Sequence, residues 1–183
     1  MLVQAFKTAH DEEELLITGR DRDFDLGLVA VEQDDGGPGR EKAPAALCRK
    51  VIEAKDKGRN WIEIWGEGTR TRSFMFIDDC IKGIDKITHC EDLIATPINL
   101  GSSELVSVND LVTIIEGIAG VKLERRYDLS APKGVGGRNS DNTMIKRVLG
   151  WEPSTPLSEG LKKTYVWIEE QYADRKAGKK TIE

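Results

Sequence analysis

Cysteine and histidine are scarce in this sequence, with three Cys (Cys48, Cys80, Cys90) and two His (His10, His89) among 183 residues. An odd cysteine count without paired spacing gives no disulfide framework, and no CxxC pair stands beside a histidine to hold zinc. With His10 and His89 so far apart, a histidine-rich metal site or a Ser-His-Asp triad has almost no material to work with. No apolar run approaches the roughly 20 residues that cross a bilayer. The opening residues reach the acidic run Asp11-Glu12-Glu13-Glu14 without a sustained apolar stretch of the secretory kind. These absences predict a reduced, cytoplasmic protein with no metal and no membrane partner.

What the sequence does hold is enough to build a core. Apolar residues make up 39% and charged residues 32%, with mean hydropathy −0.42, the range of an ordinary globular domain. The net charge of −5 is unevenly spread. Residues 1–39 carry three Lys/Arg against ten Asp/Glu, while the remainder carries 24 against 22. An acidic leader therefore precedes a slightly basic body. A nucleic-acid partner would need a far larger local excess of positive charge, and a few arginines in a near-neutral body suit a small anionic ligand better.

The leader, residues 1–38, reads as loosely ordered. It offers a short helix from Asp11 that reaches Leu15, Leu16 and Ile17, a strand at Gly27–Val31, and strong turn chemistry at Asp34–Gly39. From there the pattern sharpens. Pro44 opens a helix over Ala45–Lys57 that Gly58 stops, and Trp61–Trp65 alternates as a strand. Ile77, Cys80, Ile81, Ile84 and Ile87 form a helical stripe. Pro97–Leu100 reads as a short strand, Ser107 and Asp110 as a capping box for a helix ended by Gly120, and Val121–Tyr127 as another strand. Ser140-Asp141 caps a short helix stopped by Gly150. Pro156-Leu157-Ser158 starts a last helix with Leu161, Tyr165, Ile168 and Tyr172 on one face, ending in a frayed charged tail, residues 173–183. Helices and strands alternate, which predicts an α/β fold.

Chemistry is concentrated in four segments: Gly39–Lys50, Trp65–Asp79, Ile98–Ser102 and Gly137–Asn142. Arg70, Arg72 and Arg138 each stand in or beside a glycine-rich turn, where little bulk blocks a ligand. Guanidinium groups grip phosphates bidentately, so three of them suit a diphosphate; the bland alternative is that each is solvated or paired with a carboxylate. Gly66-Glu67-Gly68 is not a dinucleotide fingerprint, because position 71 is Thr and no strand-then-helix unit follows in the required way. Cys48 reads as a small core residue, Asp78 and Asp79 as a helix cap, and Trp61, Trp65, Trp151 and Trp167 as packing.

The order and spacing of these segments resemble the C-terminal part of the extended short-chain dehydrogenase/reductase family, the NAD-dependent epimerases and dehydratases of nucleotide sugars. Arg40-Glu41-Lys42-Ala43-Pro44-Ala45-Ala46 and Gly137-Arg138-Asn139-Ser140-Asp141-Asn142 are similar to the branch that epimerises GDP-linked hexoses. The likeness spans residues 39–172. It implies an α/β substrate-binding portion that lacks most of the Rossmann sheet, with a GDP-sugar as ligand. It implies that Lys42 is the catalytic acid/base, and that Glu41, Ala43, Lys50, Arg70, Thr71, Arg72 and Arg138 bind substrate. A lysine serves as a base only if burial or neighbouring cations lower its pKa.

NAD is the cofactor the resemblance implies, yet its glycine-rich βαβ fingerprint is missing, and Tyr127 and Lys133 are six apart and cannot form the family's Tyr-x-x-x-Lys pair. The expectation is therefore a truncated chain or a catalytically inactive sugar-nucleotide binder, with part of a 4-epimerase or 4,6-dehydratase as the alternative within the family. Sheet edges left without their neighbours are expected to favour self-association or pairing with a full-length homologue.

Overall fold

The computed structural model describes residues 5–6, 16–17, 42–131 and 136–179, which fall into two compact units. The first unit takes residues 73–105 and 138–157 together with β1 (Ala5–Phe6) and β2 (Leu16–Ile17). These two strands pair antiparallel, Phe6 opposite Leu16. Leu16 and Ile17, expected at the end of a short helix, are instead in a strand, pairing having overridden a weak local signal there; Asp11–Leu15 lie outside the described residues. The remainder of the leader, with the Gly27–Val31 strand and the 34–39 turn expected there, lies outside the described residues.

The core of this unit is Met75, Cys80, Ile87, Leu93, Ile98, Leu100 and Ile145. Helix α1 (Ala43–Asp56) belongs to the second unit; α2 (Ile77–Thr88) lays Cys80 and Ile87 into this core, with Ile77 and Ile84 half-buried. Ile81 departs from the expected stripe and is 61% exposed, because it sits at the rim of the 77, 80, 84, 87 seam. Gly83 lies on the buried side, where an added Cβ would strike both Leu100 methyl groups and approach Trp151 Cζ3 to 3.1 Å. Gly83→Ala is expected to destabilise the protein by about 1–3 kcal/mol through overpacking. Urea unfolding reads this, and an unchanged midpoint would refute the packing described.

Two readings are corrected here. Pro97–Leu100 is not a strand: Ile98 and Leu100 are buried in alternation, but no ladder accompanies them. Asn142 from the far segment takes the place of a strand partner, donating through Nδ2 to Gly101 O at 2.9 Å, while Asn99 Nδ2 donates to Asp141 O at 3.4 Å. Asp79 does not cap α2. It is buried, and its Oδ2 accepts the Ser154 and Thr155 N–H groups at 2.9 and 2.7 Å, while Asp78 is exposed. Further on, α4 (Thr143–Leu149) begins with Asp141 Oδ1 accepting the Thr143 N–H at 3.0 Å and ends at Gly150, φ 58°. Ser140, expected to share the cap, instead donates to Asn142 Oδ1 at 2.7 Å.

The second unit takes residues 42–72, 106–131, 136–137 and 158–179. Pro44 at the start of α1 is tolerated because first-turn N–H groups have no helical partner. Strand β3 (Trp61–Trp65) buries Ile62 and Ile64 on the side α1 packs against and leaves Glu63 and Trp65 exposed. Its parallel partner is the strand Glu124–Asp128, which overlaps the strand expected at Val121–Tyr127 but starts three residues later, with Trp65 opposite Asp128. Between them, α3 (Val108–Ala119) opens on the expected capping box, Ser107 Oγ accepting the Asp110 N–H at 3.0 Å, and closes on Gly120 at φ 67°. Helix α5 (Leu157–Lys176) buries Leu161, Tyr165 and Ile168. It stays helical through Asp174, Arg175 and Lys176, where fraying was expected, because Lys176 Nζ bonds both carboxylate oxygens of Asp56 at 2.6 and 2.9 Å.

The remaining strands are β4 (Thr71–Ser73), β5 (Leu105–Ser107) and β7 (Gly137–Arg138); with Glu124–Asp128 counted as β6, they form a sheet in the order β5-β4-β7. The fold is mixed α/β, and β3 and β6 pair parallel. Among the described residues, only part of a Rossmann-type sheet is present.

Candidate functional site

The turn between β3 and β4 carries Arg70, Arg72 follows on β4, and the backbone of this stretch is tied down at several points. Gly66 donates its N–H to Asp128 O at 2.7 Å, and Thr71 donates to Gly136 O at 3.2 Å. Gly68 O accepts the Asn109 N–H at 2.9 Å, and Arg70 O accepts the Val108 N–H at 3.1 Å. Gly66 and Gly68 take φ of 71° and 72°, a region that glycine alone enters without strain. The turn is a built feature, held by β6, α3 and the 136–137 segment, rather than a slack loop.

On this frame Arg70, Thr71 and Arg72 are half-buried, and Arg72 Nη1 donates to Thr71 O at 2.7 Å. Gly137 lies against Thr71, where a Cβ would come within 2.6 Å of Thr71 Oγ1, and Arg138 is the next residue along, exposed. Lys42 is the N-cap residue of α1, half-buried, its carbonyl accepting the Ala46 N–H at 2.9 Å; Ala43 beside it is exposed. Glu41 and Lys133 lie outside the described residues. Lys50 reaches β3, donating to Glu63 O at 3.0 Å with its ammonium 5.6 Å from the Trp65 ring centre. Asp128 is held below the usual carboxylate range first by the Ser130 hydroxyl and N–H, with the Lys50 charge helping.

Other candidates resolve as structure. Cys48 is fully buried and its thiol is pushed up to about 12 by that burial, so it is no nucleophile. Trp61 lies under Arg126 at 4.3 Å and Arg59 at 5.4 Å, whereas Trp65, expected to pack, is 52% exposed. A Tyr-x-x-x-Lys spacing does occur on α5, at Tyr172 and Lys176. Both bind Asp56 at the end of α1, the tyrosine hydroxyl at 3.1 Å, which makes them a helix-to-helix tie. No cluster of metal-ligating side chains occurs among the described residues.

The glycine-rich turn is not built as a dinucleotide cradle. It leads into strand β4 instead of opening a helix, and its Gly66 N–H, Gly68 O and Arg70 O are bonded within the protein. The N-terminus of α3 is closed by its own capping box and by the turn.

No family model matches the chain. Among solved structures, a UDP-glucuronic acid 4-epimerase variant from Bacillus cereus, in complex with NAD and a fluorinated UDP-glucuronic acid, is similar with a TM-score of 0.60 at 28% identity, over 68% of this chain and 40% of that one. A GDP-L-fucose synthase from Azorhizobium caulinodans is 33% identical over 132 residues, 72% of this chain and 42% of the relative. In fold and sequence the matched segment is similar to extended short-chain dehydrogenase/reductase enzymes named for nucleotide-sugar substrates. Its particular likeness is to GDP-mannose 3,5-epimerase: that of Arabidopsis thaliana is 45% identical over 139 residues, 76% of this chain. The chain spans about a third of the length of that relative, 35%.

Proposed function

We propose that this chain is the sugar-nucleotide-holding part of a GDP-mannose 3,5-epimerase-like protein and that it binds GDP-mannose. In this reading Arg70, Arg72 and Arg138 grip the diphosphate, while Thr71, Ala43, Glu41 and Lys50 line the ligand. Lys42 handles a proton at the hexose. The observation that supports it most is the tied turn Gly66–Arg72, which holds two guanidinium-bearing residues on a fixed backbone beside the residue that precedes Arg138. Fixed guanidinium forks lose less freedom on meeting a phosphate than floppy ones do.

Lys42 can act on a C–H bond only where a hydride carrier first makes the neighbouring carbon a ketone. Binding without turnover is the activity proposed for this chain alone, a reading supported by a glycine-rich turn that leads into a strand instead of opening a helix. An alternative within the family, a GDP-sugar reductase or 4-epimerase portion, is favoured less because the likeness to the 3,5-epimerase is the higher, 45% against 33% identity. Association belongs to the same proposal. Parallel strands ordinarily sit in larger sheets covered on both faces, whereas Trp65 on β3 stands half exposed.

Calorimetric titration tests this reading. GDP-mannose is expected to bind and free mannose not to bind, since the diphosphate carries the affinity; no heat with GDP-mannose at millimolar concentration would refute it. With NAD added in deuterium oxide, no label is expected at C3 or C5 of the sugar. Incorporation there would show that the chain holds the cofactor and turns over unaided.

A further inference from the structure

We infer that Asn109, locked by Tyr127, is a positioning residue for the Arg70–Arg72 turn. The inference rests on the ligand-binding reading above for its consequence, but its geometry stands apart from it. The first N–H groups of a helix have no partner within the helix. In α3 the Asp110 N–H goes to Ser107 Oγ, whereas those of Val108 and Asn109 go to Arg70 O and Gly68 O. The start of α3 therefore holds this stretch at two carbonyls, two residues apart, one of them Arg70's own.

The Asn109 side chain makes this hold specific. Its carboxamide lies directly over the bare Cα of Gly68, where a Cβ would meet Oδ1 at 2.5 Å and Cγ at 2.7 Å. On its other side Oδ1 accepts the Tyr127 hydroxyl at 3.0 Å. Tyr127 stands on β6, one residue before Asp128, whose carbonyl holds Gly66. Tyrosine, asparagine and glycine thus form a stack that sets the height of the turn above the carboxyl end of the β3–β6 pair. Without the hydroxyl the carboxamide can rotate, and the turn loses its floor.

The test combines backbone amide exchange with ligand titration on the full chain. Tyr127→Phe and Asn109→Ala are expected to speed exchange of the Val108 and Asn109 amides by about fivefold to tenfold, the worth of one net hydrogen bond. Amides of α1 and α5 are expected to keep their rates, which a general loss of stability would not allow. Asn109→Asp retains an acceptor for the tyrosine hydroxyl and is expected to restore slow exchange. Gly68→Ala is expected to be less harmful on an Asn109→Ala background than alone, the signature of direct coupling. GDP-mannose affinity is expected to fall about fivefold in Tyr127→Phe.

Unchanged exchange at both amides, or a Gly68→Ala effect indifferent to residue 109, would overturn the positioning role. If the unaltered chain fails to bind GDP-mannose while the exchange and coupling effects appear, the positioning stands and the ligand reading falls.

Discussion

Replacing Arg72 and Arg138 with alanine is expected to weaken GDP-mannose binding by about tenfold to a hundredfold for each, and to abolish measurable binding in the double variant. The magnitude follows from hydrogen bonds to charged groups, worth about 1.5–3 kcal/mol apiece. Arg138 is exposed, so its variant is expected to fold as well as the parent. Arg72 also donates to Thr71 O, and Arg72→Lys separates the two roles. Lysine keeps the charge but not the planar fork, so partial recovery is expected, with a steeper loss of affinity as salt is raised. Titrations at two ionic strengths read both effects. Full affinity in the double alanine variant would remove the diphosphate from the arginines.

Glu116→Gln is expected to be the most damaging single change to stability, at about 2–4 kcal/mol. Glu116 is buried on α3, where its Oε1 accepts the Leu123 N–H at 2.9 Å and its Oε2 meets Lys122 at 3.0 Å and Arg125 at 3.1 Å. Burial by itself would raise its pKa, but the Leu123 amide and the two cations outweigh burial and hold the carboxyl below its ordinary value. A carboxyl lowered on folding stabilises the protein above its unfolded value, and that contribution is lost as pH falls through the folded one. Stability is therefore expected to fall on the acid side of the ordinary glutamate range, and the Gln variant to show a flatter acid limb. Urea unfolding at several pH values checks the sign; equal acid limbs would contradict it.

The elements with local chemistry were legible in the sequence. Pro44 at the head of α1, the Ser107–Asp110 box, the left-handed stops at Gly120 and Gly150 and the alternation of β3 all act within a few residues of themselves. What escaped depends on distant partners. Asp79 looked like a cap because nothing near it discloses the amides of Ser154 and Thr155, 75 and 76 residues away. Pro97–Leu100 has the burial alternation of a strand, but the Asn142 side chain supplies the partner that another strand would have.

Glu116 left a signal that went unused: it falls among Val112, Ile115 and Ala119 on the buried stripe of α3, with Lys122 and Arg125 soon after. A charge on an apolar stripe followed by two cations is a readable clue. For the candidate site, the motifs named the residues, whereas the ties of the turn to Asp128, Val108, Asn109 and Gly136 had no local trace. Asn109 and Tyr127, 18 residues apart, belong to that same class.

The most direct measurement of the central claim is to follow the guanidinium signals of arginine-labelled protein by nuclear magnetic resonance while GDP-mannose is added. Arg70, Arg72 and Arg138 are expected to shift together along one saturation curve, while Arg49, ion-paired with Glu53, and Arg125, paired with Glu116, stay in place. Shifts confined to other arginines, or none at saturating ligand, would contradict the account.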